Sequence, residues 1–232
     1  MSKKNTGRPF TRQQNEVERH DRVLIVCEDS KSSPNYFEEL VKHERLSSVD
    51  VKITGDCGSD PISVVNKAIE LYEESVNDDN LASTFDMVYC VIDRDGHQNF
   101  EQAIDKLNSH CKNGKPFHMV RSYPCFEFWY LCHFIFTRTS IGNTGTKSSA
   151  DKCIQLLNKE WTSISKKKYE KNQTGIYKLL YSKLEVAMGN AKGTLKSAID
   201  TNEMNPSTEV HELVHYLINI RSTSNIKLNS GK

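Results

Sequence analysis

Hydrophobic positions in the first half of the chain form two kinds of segment that alternate. Short continuous runs rich in Val and Ile are typical of strands buried on both faces of a parallel sheet. Between these runs, apolar residues recur at spacings of three and four, which indicates amphipathic helices. The predicted strands span residues 23–27, 49–54, 87–92 and 117–120.

The helical segments have recognisable starts. Pro34 can occupy the first turn of a helix, and Asp60 followed by Pro61 supplies an N-cap and a first-turn proline. Further helices are expected from about Phe100 and from Pro124 to about Phe136. Strand and helix thus alternate four times. This alternation predicts an α/β fold, a Rossmann-like parallel sheet flanked by helices and joined by right-handed crossovers.

The amino-acid composition of the chain changes after Arg138. Residues 141–149 are rich in Gly, Ser, Thr and Asn, and beyond them the apolar residues recur at helical spacings without a further convincing strand. We therefore predict four parts: a basic leader over 1–22, an α/β domain over 23–137, a basic helical region over 138–222 and a tail over 223–232.

The net charge of +1 conceals a strong segregation of charge. Residues 23–137 carry 10 Lys and Arg against 19 Asp and Glu, whereas residues 138–196 carry 12 against 4. An acidic body followed by a basic one suits a protein that holds divalent cations in one place and a polyanion in another. A solvated helical surface is the alternative explanation of the basic part.

Nothing in the sequence predicts export or membrane insertion. The first 22 residues are polar and basic, without the apolar core of a signal peptide. No apolar run approaches the roughly 18 to 20 residues that cross a bilayer. The seven cysteines include no Cys-x-x-Cys pair and are expected to be reduced thiols. We expect a cytoplasmic protein without a membrane partner.

Acidic residues directly follow two of the predicted strands. Glu28 follows the first strand, and Asp93 and Asp95 follow the third. Ligands of open α/β sheets bind beyond the carboxyl ends of the strands, so these carboxylates are expected at one edge. Three anionic oxygen ligands suit Mg²⁺ or Mn²⁺, which would also offset their mutual repulsion. The alternative is that each acid ends a strand or caps a helix.

Other residues near these acids could take part in the chemistry. Glu127 could be a further metal ligand, or could favour the N-terminus of its helix. His97 could act as a general acid or base, or lie on a solvated helix start. Lys31 and Arg94 could contact a scissile phosphate. A basic run that includes an aromatic residue could bind phosphates and stack one base, or form a solvated surface. Its members are Lys166, Lys167, Lys168, Tyr169 and Lys171.

Four ordered blocks of sequence resemble a known family. A Glu at the end of the first strand and an Asp-x-Asp at the end of the third look like a TOPRIM domain. The wider context resembles the RloB-like family over about residues 22–220. The blocks are residues 24–28 with 34–37, residues 93–100, residues 124–134, and residues 205–211. The loop after Glu28 departs from the family, because Asp29 to Ser33 replace a Gly-x-x-Thr-Glu pattern.

The resemblance implies a TOPRIM nuclease of bacterial abortive-infection and phage defence, which uses Mg²⁺ or Mn²⁺ to cleave RNA, including tRNA, or DNA. Another protein of the defence system is an expected partner. A sensor subunit that binds metal or nucleotide without turnover is the alternative. A phospho-signalling receiver, with Asp93 as the phosphoacceptor, is a third hypothesis. The sequence contains neither G-x-x-x-x-G-K-[ST] nor G-x-G-x-x-G, so it gives no support for a phosphate-cradling nucleotide loop.

Overall fold

The computed structural model describes residues 21–46, 51–58, 60–78, 83–94, 99–111, 114, 116–143 and 145–220. Its first half alternates strand and helix. The elements are β1 (Val23–Cys27), α1 (Ser32–His43), β2 (Val51–Thr54), α2 (Pro61–Asn77), β3 (Met87–Asp93), α3 (Phe100–Cys111), β4 (Phe117–Tyr123) and α4 (Glu127–Cys132). The second half contains α5 (Ser149–Trp161), α6 (Ile176–Leu180), α7 (Leu184–Thr201), β5 (Ser207–Thr208) and α8 (Val210–Ile218).

The sheet has the strand order β2-β1-β3-β4-β5. The first four strands are parallel, and Val23 lies opposite Val51 on one side and Met87 on the other. This arrangement confirms the predicted Rossmann-like α/β fold. Asp93 is itself the last residue of β3, one position beyond the predicted end of that strand.

Two sequence expectations about the later elements were wrong. Residues 207–208 form β5, which runs antiparallel to β4; a strand of two residues is too short to produce a periodic pattern. The helix expected from Pro124 to about Phe136 spans only Glu127–Cys132. Farther along the chain, a 3-10 turn at Tyr181–Lys183 separates α6 from α7.

The side chains of the central strands alternate between two apolar layers. Val23, Ile25 and Cys27 pack on the face that α1 and α4 to α8 cover. Leu24 and Val26 point to the opposite face, which α2 and α3 cover. The residues after the predicted boundary near 138 therefore contribute to the same core as the sheet, and the division into domains remains a prediction.

An ion pair between Arg121 and Glu209 connects β4 to the segment that precedes α8. The carboxylate of Glu209 accepts hydrogen bonds from the backbone N–H of Arg121 at 2.8 Å and from its guanidinium group. The hydroxyl oxygens of Ser122 and Thr208 lie 3.0 Å apart beside it. Within the described part of the chain, no helix combines the length and the apolar character that crossing a membrane requires.

Burial of His133 makes the fold sensitive to acid. Its ring donates from Nδ1 to the carbonyl oxygen of Trp129 at 3.0 Å, and Nε2 is buried without a hydrogen-bond partner. Burial lowers the pKa of His133 to about 4. Between that pKa and the ordinary value of about 6.5 the unfolded chain binds a proton that the folded chain does not bind, so stability falls as the pH falls through this window.

We expect His133 to cost the fold about 3 kcal/mol of unfolding free energy as the pH falls from 7 to 4. Urea unfolding of the wild type and of His133→Asn at several pH values measures this contribution. The variant should show a distinctly flatter dependence on pH over that range. Parallel curves for the two proteins would assign the acid sensitivity to other groups.

Candidate functional site

The adjacent parallel strands β1 and β3 bring two of the predicted acids together. Glu28 directly follows β1, and its backbone N–H donates to the carbonyl oxygen of Val91 on β3 at 3.0 Å. Its carboxylate oxygen Oε2 accepts a hydrogen bond from the backbone N–H of Asp93 at 2.8 Å. Glu28 is only 8% exposed, so its carboxylate is held at the carboxyl edge of the sheet.

A third carboxylate near this edge belongs to Glu127, the first residue of α4, which follows β4. Burial raises the pKa of Asp93 well above its usual value, and the negative charges of Glu127, Glu28 and Asp29 add to this effect. A hydrogen bond from the backbone N–H of Phe126 opposes it in part. The carboxylates of Glu28, Asp93 and Glu127 therefore repel one another, and a bound cation would reduce that repulsion.

The side chain of Glu127 is buried and fixed by residues from distant parts of the chain. Its Oε1 atom accepts hydrogen bonds from the hydroxyl groups of Ser32 at 3.1 Å and Tyr169 at 3.0 Å. The ammonium group of Lys171 lies 3.8 Å from the same oxygen. The start of α1, the start of α4 and the segment between α5 and α6 thus meet at one carboxylate.

The turn between β1 and α1 is organised by Asp29. Its carboxylate accepts hydrogen bonds from the backbone N–H groups of Lys31 at 2.8 Å and Ser33 at 3.1 Å, and from the hydroxyl group of Ser33. These bonds give Asp29 a structural role at the start of α1, where backbone N–H groups lack helical partners. The turn can therefore form without the glycine of the Gly-x-x-Thr-Glu pattern.

An open cleft of about 500 Å³ lies beside the acids. Glu28 and Asp29 form part of its lining, and Lys31 and Lys171 contribute the two positively charged groups. The exposed fraction of the Lys171 side chain is 52%. A cleft with carboxylates and ammonium groups in its lining can hold a cation and an anionic group next to each other.

Gly55 allows the loop after β2 to pass close to this turn. A Cβ atom at position 55 would lie 2.7 Å from Cγ of Pro34 and closer still to the backbone oxygen of Asp29. We expect Gly55→Ala to displace the turn that carries Glu28 and Asp29, lowering the free energy of unfolding by about 1 to 3 kcal/mol.

Chemical unfolding of Gly55→Ala measures this effect, and Gly142→Ala is the matched control. A Cβ atom at Gly142 would meet no atom within 4 Å. Equal losses of stability in the two variants would show that the close approach at Gly55 is not restrictive.

The other predicted site residues lie in different environments. Asp95 and His97 lie outside the described residues. Arg94 lies over the ring of Phe100, 4.9 Å from its centroid. Lys166, Lys167 and Lys168 are exposed on the surface. Among the described residues, no group of three His, Cys, Asp or Glu side chains is arranged to hold a metal ion. Glu28 and Glu127 both lie near enough to Asp93 for their charges to affect it, but the three side chains do not form such a group.

The geometry does not support the predicted stacking of Tyr169 on a base. Its side chain is only 3% exposed, and its ring packs edge-on against Tyr130 and Trp161. The sequence pattern assigned Tyr169 to the same exposed surface as its charged neighbours, whereas in the structure its side chain is buried and contacts Glu127. Sequence reasoning also missed Ser32, because a serine at the start of a helix carries no signal for a contact 95 residues away.

Comparison with known proteins gives one match. The model of the RloB-like protein family matches residues 23–217, which includes every described element except the last residue of α8. No curated protein and no solved structure matches the chain. The match covers most of the chain, from the first strand through the acidic edge to the final helix. The chain therefore belongs to the RloB-like protein family.

Proposed function

We propose that this protein is a metal-dependent TOPRIM nuclease that cleaves phosphodiester bonds in RNA, including tRNA, or in DNA. The observation that carries the proposal is that Glu28 and Glu127 lie near Asp93 at one edge of the sheet, where burial raises the pKa of Asp93 and the charges of Glu127 and Glu28 add to this effect. A cluster of repelling acids is costly for a fold unless a cation binds there.

The chemistry of these donors fits a hard divalent cation. Carboxylate oxygens are the ligands that Mg²⁺ and Mn²⁺ prefer. Glu28 and Asp93 would hold the ion together with Asp95, and Glu127 would be a further ligand. When bound, the ion would polarise the phosphoryl oxygens and favour ionisation of the attacking water.

The protein's own residues would prepare the substrate. Lys171 and Lys31 would bind oxygens of the phosphate group that enters the cleft. Arg94 would also contact this phosphate. The exposed lysines 166–168 would attract the nucleic-acid backbone, without reading its sequence. His97 would act as the general acid or base, moving a proton at the attacking or leaving oxygen.

The biological setting of the proposal comes from the family. The RloB-like family is associated with abortive infection and phage defence, so we propose that the nuclease acts in the bacterial cytoplasm when a phage infects the cell. A second protein of the defence system would activate or inhibit the nuclease.

Cleavage by the purified full-length chain tests the proposed activity. The substrates are labelled tRNA, single-stranded RNA and DNA, and plasmid, each with Mg²⁺, Mn²⁺ or EDTA. We expect one substrate class to be cut with either metal and to remain intact with EDTA. Binding of Mn²⁺ without cleavage of any substrate would instead favour the sensor. Labelling of Asp93 by acetyl phosphate would favour the receiver.

A further inference from the structure

Glu127 has an unusual environment for a carboxylate of the candidate site. It is only 1% exposed, and both Ser32 and Tyr169 donate hydroxyl hydrogen bonds to the same oxygen, Oε1. The two hydroxyl oxygens also lie 3.1 Å from each other. A buried carboxylate needs such donors, and donors to one oxygen also fix the direction of the other oxygen.

The two residues that donate these bonds have further contacts with their surroundings. The backbone N–H of Tyr169 donates to Oδ1 of Asn158 on α5 at 2.8 Å, and its ring is packed between Tyr130 and Trp161. The hydroxyl group of Tyr130 donates to the carbonyl oxygen of Ser32 at 3.0 Å. The hydroxyl group of Tyr169 therefore cannot move away from Glu127 without disturbing packed aromatic rings.

The second oxygen of Glu127 is placed differently. Among the described residues, none of the hydrogen bonds to Glu127 uses Oε2. The carboxylate nevertheless lies close enough to Asp93 that, after burial, its charge is the largest influence raising the pKa of that residue. Among these residues, Oε2 is therefore the oxygen of Glu127 that could bind a cation without giving up a protein hydrogen bond.

We propose that Ser32 and Tyr169 are positioning residues that orient Glu127 as a metal ligand, so that the segment between α5 and α6 completes the metal site. The inference rests on the proposed function and deepens it. Hydrogen bonds from protein groups to metal-ligating carboxylates fix the orientation of the ligand, and removing one typically costs 10-fold to 100-fold in metal affinity or activity. A residue of the helical region would thereby control a site on the sheet.

Mn²⁺ binding to the full-length protein, measured by isothermal titration calorimetry, tests the proposal. Tyr169→Phe removes only the hydroxyl group and keeps the ring, and we expect it to raise the Kd for Mn²⁺ about 10-fold to 100-fold. Tyr181→Phe is the matched control, because this side chain is 46% exposed on the surface. Its Kd should stay within about twofold of the wild-type value, as expected for a surface substitution away from the site.

A second variant separates positioning from folding. Ser32→Ala removes the other hydroxyl group, and the effects of Ser32→Ala and Tyr169→Phe on the Kd should be non-additive in the double variant, because both groups act on one oxygen. Ser32→Thr retains a hydroxyl group and should recover most of the affinity. Thermal unfolding of each variant without metal reports any purely structural effect.

The outcomes distinguish this inference from the proposed function. Equal Mn²⁺ affinity in wild type, Tyr169→Phe and Ser32→Ala would overturn the positioning role, even if all three cleave nucleic acid. Loss of thermal stability with unchanged affinity would do the same. A wild type that does not bind Mn²⁺ would overturn both proposals. Hydroxyl-dependent Mn²⁺ binding without cleavage of any substrate would support the positioning role and remove the nuclease.

Discussion

Replacement of Asp93 by Asn is expected to reduce metal-dependent cleavage by at least about 1,000-fold. Asp93 ends β3 at the acidic edge, where burial raises its pKa and the charges of Glu127, Glu28 and Asp29 add to this effect. An amide of the same shape removes a ligand charge and leaves the backbone N–H that holds Glu28. Several kcal/mol of stabilisation of the transition state would be lost. Initial rates with Mg²⁺ measure the loss.

The same variant has a second expected effect, on stability. Without metal, Asp93→Asn should unfold at an equal or higher temperature than the wild type, because it removes one of several repelling charges. Mn²⁺ at about 100 times its Kd should stabilise the wild type by about 2.7 kcal/mol, which corresponds to about 5 to 10 °C in Tm. The variant should gain much less.

Asp105→Asn is the matched control for both effects. Asp105 lies exposed on α3, away from the acidic edge. We expect this variant to cleave at the wild-type rate and to show the wild-type shift in Tm with Mn²⁺. Cleavage by Asp93→Asn at the rate of Asp105→Asn would refute the role of Asp93.

The part of the site that lies on the sheet could be predicted from the sequence. The run at residues 23–27 is continuous and apolar because both faces of β1 are buried, and this pattern identifies a central parallel strand. Once two such strands are recognised, the residues at their carboxyl ends must share an edge. Glu28 and Asp93 therefore meet through a general property of parallel sheets and not through any local motif.

The contribution of the helical region could not be predicted in the same way. Ser32 and Tyr169 are 137 residues apart, and the contact between them depends on how α5 packs on α4. No periodic pattern records that packing. The charged neighbours of Tyr169 indicated an exposed segment, but its ring is buried although the residues on either side of it are exposed.

The basic run also contains residues with different environments. Lys166, Lys167 and Lys168 are exposed, whereas Lys171 approaches Glu127 and lines the cleft. Burial lowers the pKa of Lys171, but the nearby negative charges, above all that of Glu127, outweigh burial and raise it. Its ammonium group is therefore positively charged at neutral pH and oriented toward the acidic edge. Sequence composition alone gives all of these lysines the same role.

Lys171→Gln is consequently expected to lower kcat about 100-fold on the cleaved substrate, with a smaller change in KM. A fixed cation that stabilises charge developing on a phosphate acts mainly in the transition state, and loss of one such donor typically costs 100-fold to 1,000-fold in kcat. Steady-state kinetics with Mg²⁺ on the substrate identified in the cleavage panel measures the change. Lys171→Arg retains the positive charge and should recover part of the rate.

Lys168→Gln is the control, because it removes an exposed cation from the same run. Its effect should be confined to KM, remain below about threefold and decrease as salt is added, since it contributes only to the general attraction of a polyanion. The loss in Lys171→Gln should persist at high salt, because the ammonium group lies in the cleft beside a buried carboxylate and would act on the phosphate over a short distance. If the two variants show the same small, salt-sensitive change in KM, Lys171 belongs with its neighbours on the binding surface and the cleft lacks this contact to the reacting phosphate.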